Sequence, residues 1–85
     1  MSTTTRDDVF AVVQAKILDV LGEIAPAKIQ PATSLKDLGA NSLDRAEIVS
    51  LSMQALALRF PVRELSKVSN IGELVDALYR KKTLP

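Results

Sequence analysis

The chain has 85 residues, 47% hydrophobic and 25% charged, and its eleven basic and ten acidic residues leave a net charge of +1. That balance belongs to one small folded domain rather than a disordered chain, and with the charges dispersed, no basic block marks a nucleic-acid surface. Cys and His are both absent, which removes disulfides, thiolate nucleophiles, the commonest metal ligand and the commonest general base.

The opening MSTTTRDDVF is polar and lacks the apolar core of a signal peptide. No apolar run approaches the ~20 residues that cross a bilayer. Together with the missing cysteines, this sets the expectation of a cytoplasmic protein with no membrane partner. Residues 1 to 5 read as a frayed tail. Thr5 with Asp8 forms a capping-box start, and Phe10, Val13, Ile17, Val20, Leu21 and Ile24 recur at helical spacing. The first helix is expected from Thr5 to Leu21, stopped by Gly22.

Residues 22 to 41 form a long loop, because Pro26 and Pro31 prevent a continuous helix. Ile29, Leu35 and Leu38 are expected to pin it, Ser34 to cap one turn at SLKDL, and Gly39 to end that turn. From Ser42 to Arg59 nothing breaks a helix. Pro61 then disfavours helical geometry in Phe60. A short helix or turn fits Val62 to Val68, and Asn70 caps a last helix with the apolar stripe Ile71, Leu74, Val75 and Leu78. Arg80, Lys81 and Lys82 read as its solvated C-terminus. No alternating strand pattern occurs. The core is expected to hold Phe10, Val13, Ile17, Leu35, Ile48, Leu56, Phe60, Leu74 and Leu78.

The 42–59 helix is apolar on two sides. At about 100° per residue, Ile48, Leu51, Ala55 and Leu58 cluster on one side, with Val49 and Leu56 on a flank. A second arc holds Ala46, Met53 and Ala57, with Leu43 near it. Two arcs in so small a domain read as deep burial or as a partner-docking surface. Ser42 stands at the N-terminal end of the second arc. Nothing near it in sequence activates it as a nucleophile. The simple alternative is a helix cap. As a phosphate acceptor it is well placed, since a helix N-terminus offers free N–H groups and a positive dipole end.

Gly39-Ala40-Asn41-Ser42-Leu43 resembles the G-x-D-S-L motif of acyl carrier proteins, matching all but Asn41, where Asp is usual. The likeness covers nearly the whole chain and includes the long first loop, Phe60-Pro61 after the second long helix and the capped last helix. The resemblance implies an all-α fold, a small four-helix bundle of three main helices plus one short helix, in a single domain ordered from about Thr5 to Arg80. It implies that a phosphopantetheinyl transferase attaches a 4′-phosphopantetheine arm from coenzyme A to Ser42, whose terminal thiol carries an acyl group. The protein is then a monomeric carrier, without catalytic or metal-binding residues, served by acyl-loading and acyl-accepting enzymes.

Two departures stand out. Asn41 replaces a carboxylate that in the family helps the transferase hold magnesium, and an amide oxygen is a weaker ligand for a hard cation. The helix after the serine is usually acidic, yet Glu47 is the only acid between Asp44 and Glu64. Docking is therefore expected through Asn41, Leu43, Asp44, Ala46, Glu47, Ser50 and Met53, with apolar contact dominant. GANSLDRAEIV in a free-standing chain resembles the discrete carriers of bacterial polyketide pathways. Some of these receive a malonyl unit, have it decarboxylated by a ketosynthase-like enzyme, and donate acetyl to a 3-hydroxy-3-methylglutaryl-CoA-synthase-like enzyme for β-branching. The alternatives are a general fatty-acid or aminoacyl carrier, and a non-carrier helical interaction domain in which Ser42 is only a cap.

Overall fold

Thr5 starts the first helix by accepting the Asp8 N–H at 3.1 Å, while the Asp8 carboxylate accepts the Thr5 N–H at 3.0 Å. This is the reciprocal box read from the sequence. In the computed structural model, which describes residues 4–59, 61–65 and 68–83, α1 spans Arg6–Leu21 and stops at Gly22 with φ 73°. Its fully buried stripe is Val9, Val13 and Ile17. Phe10, expected in the core, packs half-buried on the flank. The i, i+4 line through Val13 and Ile17 extends back to Val9, not to its neighbour.

The long loop docks in steps. A 3-10 turn covers Pro26–Lys28, and Ile29 is buried behind it. The carbonyls of Pro31 and Thr33 then accept the N–H groups of Gly72 (2.8 Å) and Ile71 (2.9 Å). The start of the last helix thus has its first orphan donors satisfied by the loop. A Cβ at Gly72 would lie 3.1 Å from both Cβ and O of Pro31, so this approach depends on glycine there. The Ser34 hydroxyl accepts the Asp37 N–H at 3.0 Å and caps the turn that ends at Gly39, φ 92°. Leu35 and Leu38 are half-buried on the core rather than enclosed by it, and Ala40 is buried.

Helix α2 spans Ser42–Ala55 and ends short of the expected Arg59. Ala57 turns left-handed at φ 57°. The Leu58 N–H reaches back to the Met53 carbonyl (2.8 Å) and the Ala57 N–H to that of Gln54 (3.1 Å). That pairing is a Schellman stop with alanine where glycine is usual. The expected short fourth helix is a single 3-10 turn, Val62–Leu65. Helix α3 spans Ile71–Thr83, with Asn70 Oδ1 accepting the Glu73 N–H at 2.8 Å. Glu73 reaches one residue further back than a standard box, accepting the Ser69 N–H (2.6 Å) and the Ser69 hydroxyl. The Ser69 hydroxyl and N–H hold its carboxyl below the usual carboxylate range.

Helix α1 packs on both α2 and α3. The core is a column of Val9, Val13, Ile17, Ile48, Leu56, Ile71, Leu74 and Leu78 with Val49, Met53, Leu65 and Val75 around it. Phe60 lies outside the described residues. Lys82 is not merely solvated: its ammonium donates to the Leu56 carbonyl at 2.8 Å, tying the end of α3 to the negative end of α2. Among the described residues every helix is α or 3-10 and no strand occurs, as expected for an all-α chain. No helix among them is long and apolar enough to cross a membrane.

Candidate functional site

The loop delivers Gly39 and Ala40 directly to the start of α2. Of the two polar residues there, only Asn41 is the cap. Its Oδ1 accepts the Asp44 N–H at 2.8 Å, and Asp44 Oδ2 accepts the Asn41 N–H at 3.3 Å. Ser42 is the first helical residue, exposed, and its hydroxyl takes no part in capping. The alternative that Ser42 serves only as a cap does not hold. The capping role that Asn41 fills is one Asp fills about as well, so the family's usual carboxylate is replaced here without loss to the helix start.

With Asp44 N–H taken by the cap, the N–H groups of Ser42 and Leu43 have no acceptor among the described residues. These are the donors that favour an anion at a helix N-terminus. The Ser42 hydroxyl oxygen has one near polar partner, the guanidinium of Arg45, whose Nη2 lies 3.3 Å away. A Cβ placed on Gly39 would meet nothing within 4 Å, so it is the positive φ of 92° rather than crowding that favours glycine there.

Ser42 and Arg45 lie on one wall of a groove of about 540 Å³ between α2, the loop and the segment leading into α3. Its lining includes Leu35, Val49, Leu65, Val68 and Leu74, all buried or half-buried. Lys36 and Arg63, both exposed, and half-buried Arg45 give its mouth three cationic side chains. The sequence reading missed this cluster. Arg45 was within its reach, three residues after Ser42 on the same helix face. Lys36 and Arg63 come from separate segments that only folding brings together.

The residues expected to dock partners divide sharply. Leu43 is 80% exposed, Ala46 and Glu47 are exposed, and Asn41, Asp44 and Ser50 range from exposed to half-buried. Met53 is not on the surface: it is 6% exposed and part of the core. Neither apolar arc is buried as a unit: Ile48 of the first and Met53 of the second both join the core. The buried face of α2 runs through Ile48, Val49, Ser52, Met53 and Leu56, about a third of a turn from the predicted stripe. Leu51 and Leu58 sit half-buried beside it and Ala55 is exposed. The buried face includes Ser52, 0% exposed, a polar residue that no hydrophobic pattern selects. Among the described residues no cluster of His, Cys, Asp or Glu is arranged to hold a metal ion.

This arrangement, an exposed uncapped serine at a helix start behind a glycine turn in a three-helix fold, has relatives. The family described as phosphopantetheine attachment site matches residues 11–78. The polyketide biosynthesis acyl-carrier-protein AcpK of Bacillus subtilis is 44% identical over 76 residues, covering 89% of this chain and 93% of that protein. The acyl carrier protein of Thermotoga maritima is 27% identical over 77 residues, covering 91% and 95%. Among solved structures, a chain in the crystal structure of the curacin biosynthetic pathway HMG synthase in complex with acetyl donor-ACP superposes with a TM-score of 0.85. It is 33% identical, and the match covers 92% of this chain and 100% of that one. The chain belongs to the acyl carrier protein family, whose members carry a covalent 4′-phosphopantetheine group. It is a carrier on which partner enzymes act, not an enzyme.

Proposed function

We propose that Ser42 is the attachment residue and that the loaded protein supplies acetyl to a 3-hydroxy-3-methylglutaryl-CoA-synthase-like enzyme during polyketide β-branching. The observation that carries the first part is the division of labour at the start of α2, where Asn41 caps and Ser42 is left exposed with its hydroxyl outside the cap. In loading, the Ser42 oxygen attacks the pantetheine-bearing phosphorus of coenzyme A. The phosphoanhydride bond breaks, adenosine 3′,5′-bisphosphate leaves, and the serine proton passes to a base on the transferase. The group so attached supplies a thiol that holds the acyl unit as a thioester, the chemistry a chain without cysteine lacks. Tethering raises the effective concentration of the acyl unit at the partner.

Support for the pathway comes from the relatives, one a polyketide carrier and one an acetyl donor crystallised with an HMG synthase. Support from the chain itself is the docking face. Leu43, Ala46 and Glu47 are exposed beside Ser42, and apolar Leu43 protrudes one residue from the attachment point. An apolar face beside the serine fits a dedicated partner better than a partner that docks through a basic patch. The acyl unit arrives as malonyl and is decarboxylated by a ketosynthase-like enzyme before transfer.

The test has two stages. Wild type and Ser42→Ala are incubated with coenzyme A and a broad-specificity transferase, and intact mass is read. Wild type gains one phosphopantetheine and Ser42→Ala gains none; loading of the variant overturns the assignment. The acetyl-loaded protein is then offered to an HMG-synthase-like enzyme and to a fatty-acid ketosynthase. Acetyl transfer to the first and not the second is expected, and the reverse makes the protein a general fatty-acid carrier.

A further inference from the structure

We propose that Arg45 holds the phosphodiester at the root of the arm and fixes it on the groove side of α2, an inference that rests on Ser42 being the attachment residue. The distance comes first. Arg45 Nη2 already stands 3.3 Å from the Ser42 hydroxyl oxygen. Esterification places phosphorus one bond beyond that oxygen, so its two unbridged oxygens fall within reach of the same guanidinium. A guanidinium is a planar fork whose N–H groups match two phosphate oxygens at once. Arg45 is half-buried and its Nη2 already contacts the Ser42 oxygen, so its fork stands at the site before the phosphate arrives.

Charge points the same way. A phosphodiester carries one negative charge. The competing carboxylate nearby, Asp44, is turned back onto the Asn41 N–H. Asn41, standing where the family motif has Asp, adds no second charge to repel the phosphate. The N–H groups of Ser42 and Leu43 lie on the same helix end. Arg45 and Ser42 both line the groove, whereas Leu43 does not. A phosphate held by Arg45 therefore starts the arm over the groove and leaves the protruding Leu43 face clear for a partner. Arg45 acts as a positioning residue: it touches the tether, not the reacting thioester.

The experiment uses apo and loaded forms of wild type, Arg45→Gln, Arg45→Lys and Arg63→Gln, with loading verified by intact mass. Phosphorus NMR of the loaded proteins reads the diester directly, and the Arg45 guanidinium N–H resonances are followed in wild type. In wild type the phosphorus resonance is displaced from that of free phosphopantetheine in the same buffer, and the Arg45 N–H signals shift on loading. The displacement is lost in Arg45→Gln, partly kept in Arg45→Lys and unchanged in Arg63→Gln. It shrinks at about 1 M salt, where the screening length falls to ~3 Å. A wild-type gain in mass with no movement of the Arg45 signals overturns the clamp while leaving the attachment intact. So does a phosphorus resonance in Arg45→Gln that coincides with wild type, or an equal displacement lost in Arg63→Gln. If wild type gains no mass at Ser42, the attachment reading fails and the clamp with it. The wild-type N–H measurement needs no variant, so a poorly loaded Arg45→Gln does not shield the proposal.

Discussion

Asn41 and Ser42 are adjacent, both polar and both favoured helix starters, yet they do different work. The Asn41 side chain closes the reciprocal pair with Asp44. Asn41→Ala should therefore cost ~1 kcal/mol of stability, whereas Ser42→Ala, which removes no cap, should leave the urea midpoint close to wild type. Equal losses in the two variants would show that the serine also caps. Ser52 makes a second residue-scale case. It is fully buried and its hydroxyl has no partner. An orphaned buried hydroxyl costs ~1–3 kcal/mol, and the void left by one oxygen is small. Ser52→Ala is expected to raise stability by ~1 kcal/mol. A lower denaturation midpoint would mean that the hydroxyl bonds back to the Ile48 carbonyl in solution, the usual resort of a mid-helix serine.

At the scale of elements, the ends of α2 matter more than its middle. Its start presents the serine, and its end sets the direction of the chain into the groove. That end rests on Ala57 at φ 57°, a conformation that costs an L-residue ~1–2 kcal/mol. Glycine there loses ~0.5–1 kcal/mol in chain entropy, so Ala57→Gly should stabilise by up to ~1 kcal/mol, read from thermal or urea unfolding. A destabilised variant would show that the Ala57 methyl packs against something that offsets the strain. The start of α3 is a junction of the same kind. Loop carbonyls of Pro31 and Thr33 complete it, so the long loop is a structural member of the helix it caps. This is why a twenty-residue connection is tolerated in so small a domain.

For the whole molecule, the decisive feature is which side of α2 faces inward. Met53 goes to the core and Leu43 stays in water, so a charge at each position separates folding from docking. Met53→Glu should bury an unpaired carboxylate and unfold much of the population. Leu43→Glu should keep the fold and the loading by the transferase while slowing acyl transfer to the partner at least tenfold. Circular dichroism, intact mass and a transfer assay across a salt series check the three parts. If Leu43→Glu transfers normally, the partner does not use this face. If wild-type transfer collapses with salt, docking is electrostatic.

The sequence by itself determined where the helices begin and singled out Ser42 at one of those starts. Thr5 with Asp8, Ser34, Asn70, Gly22 and Gly39 are local signals, each acting within a few residues of chain, so each is readable without the fold. Ser42 was legible for the same reason, through a five-residue motif at a helix start. Only the tertiary structure decided the inward face of α2. Apolar residues on both of its sides gave two stripes with nearly equal claims. The choice fell to a line through Ser52 because α1 and the segment entering α3 close on that side. The early end of the helix at Ala55 was also hidden, since alanine at Ala57 carries no sign of the left-handed turn it adopts. The cationic mouth beside Ser42 was beyond the sequence because Lys36, Arg45 and Arg63 belong to three segments, and only the docking of the loop and the 3-10 turn against α2 sets their charges around one groove.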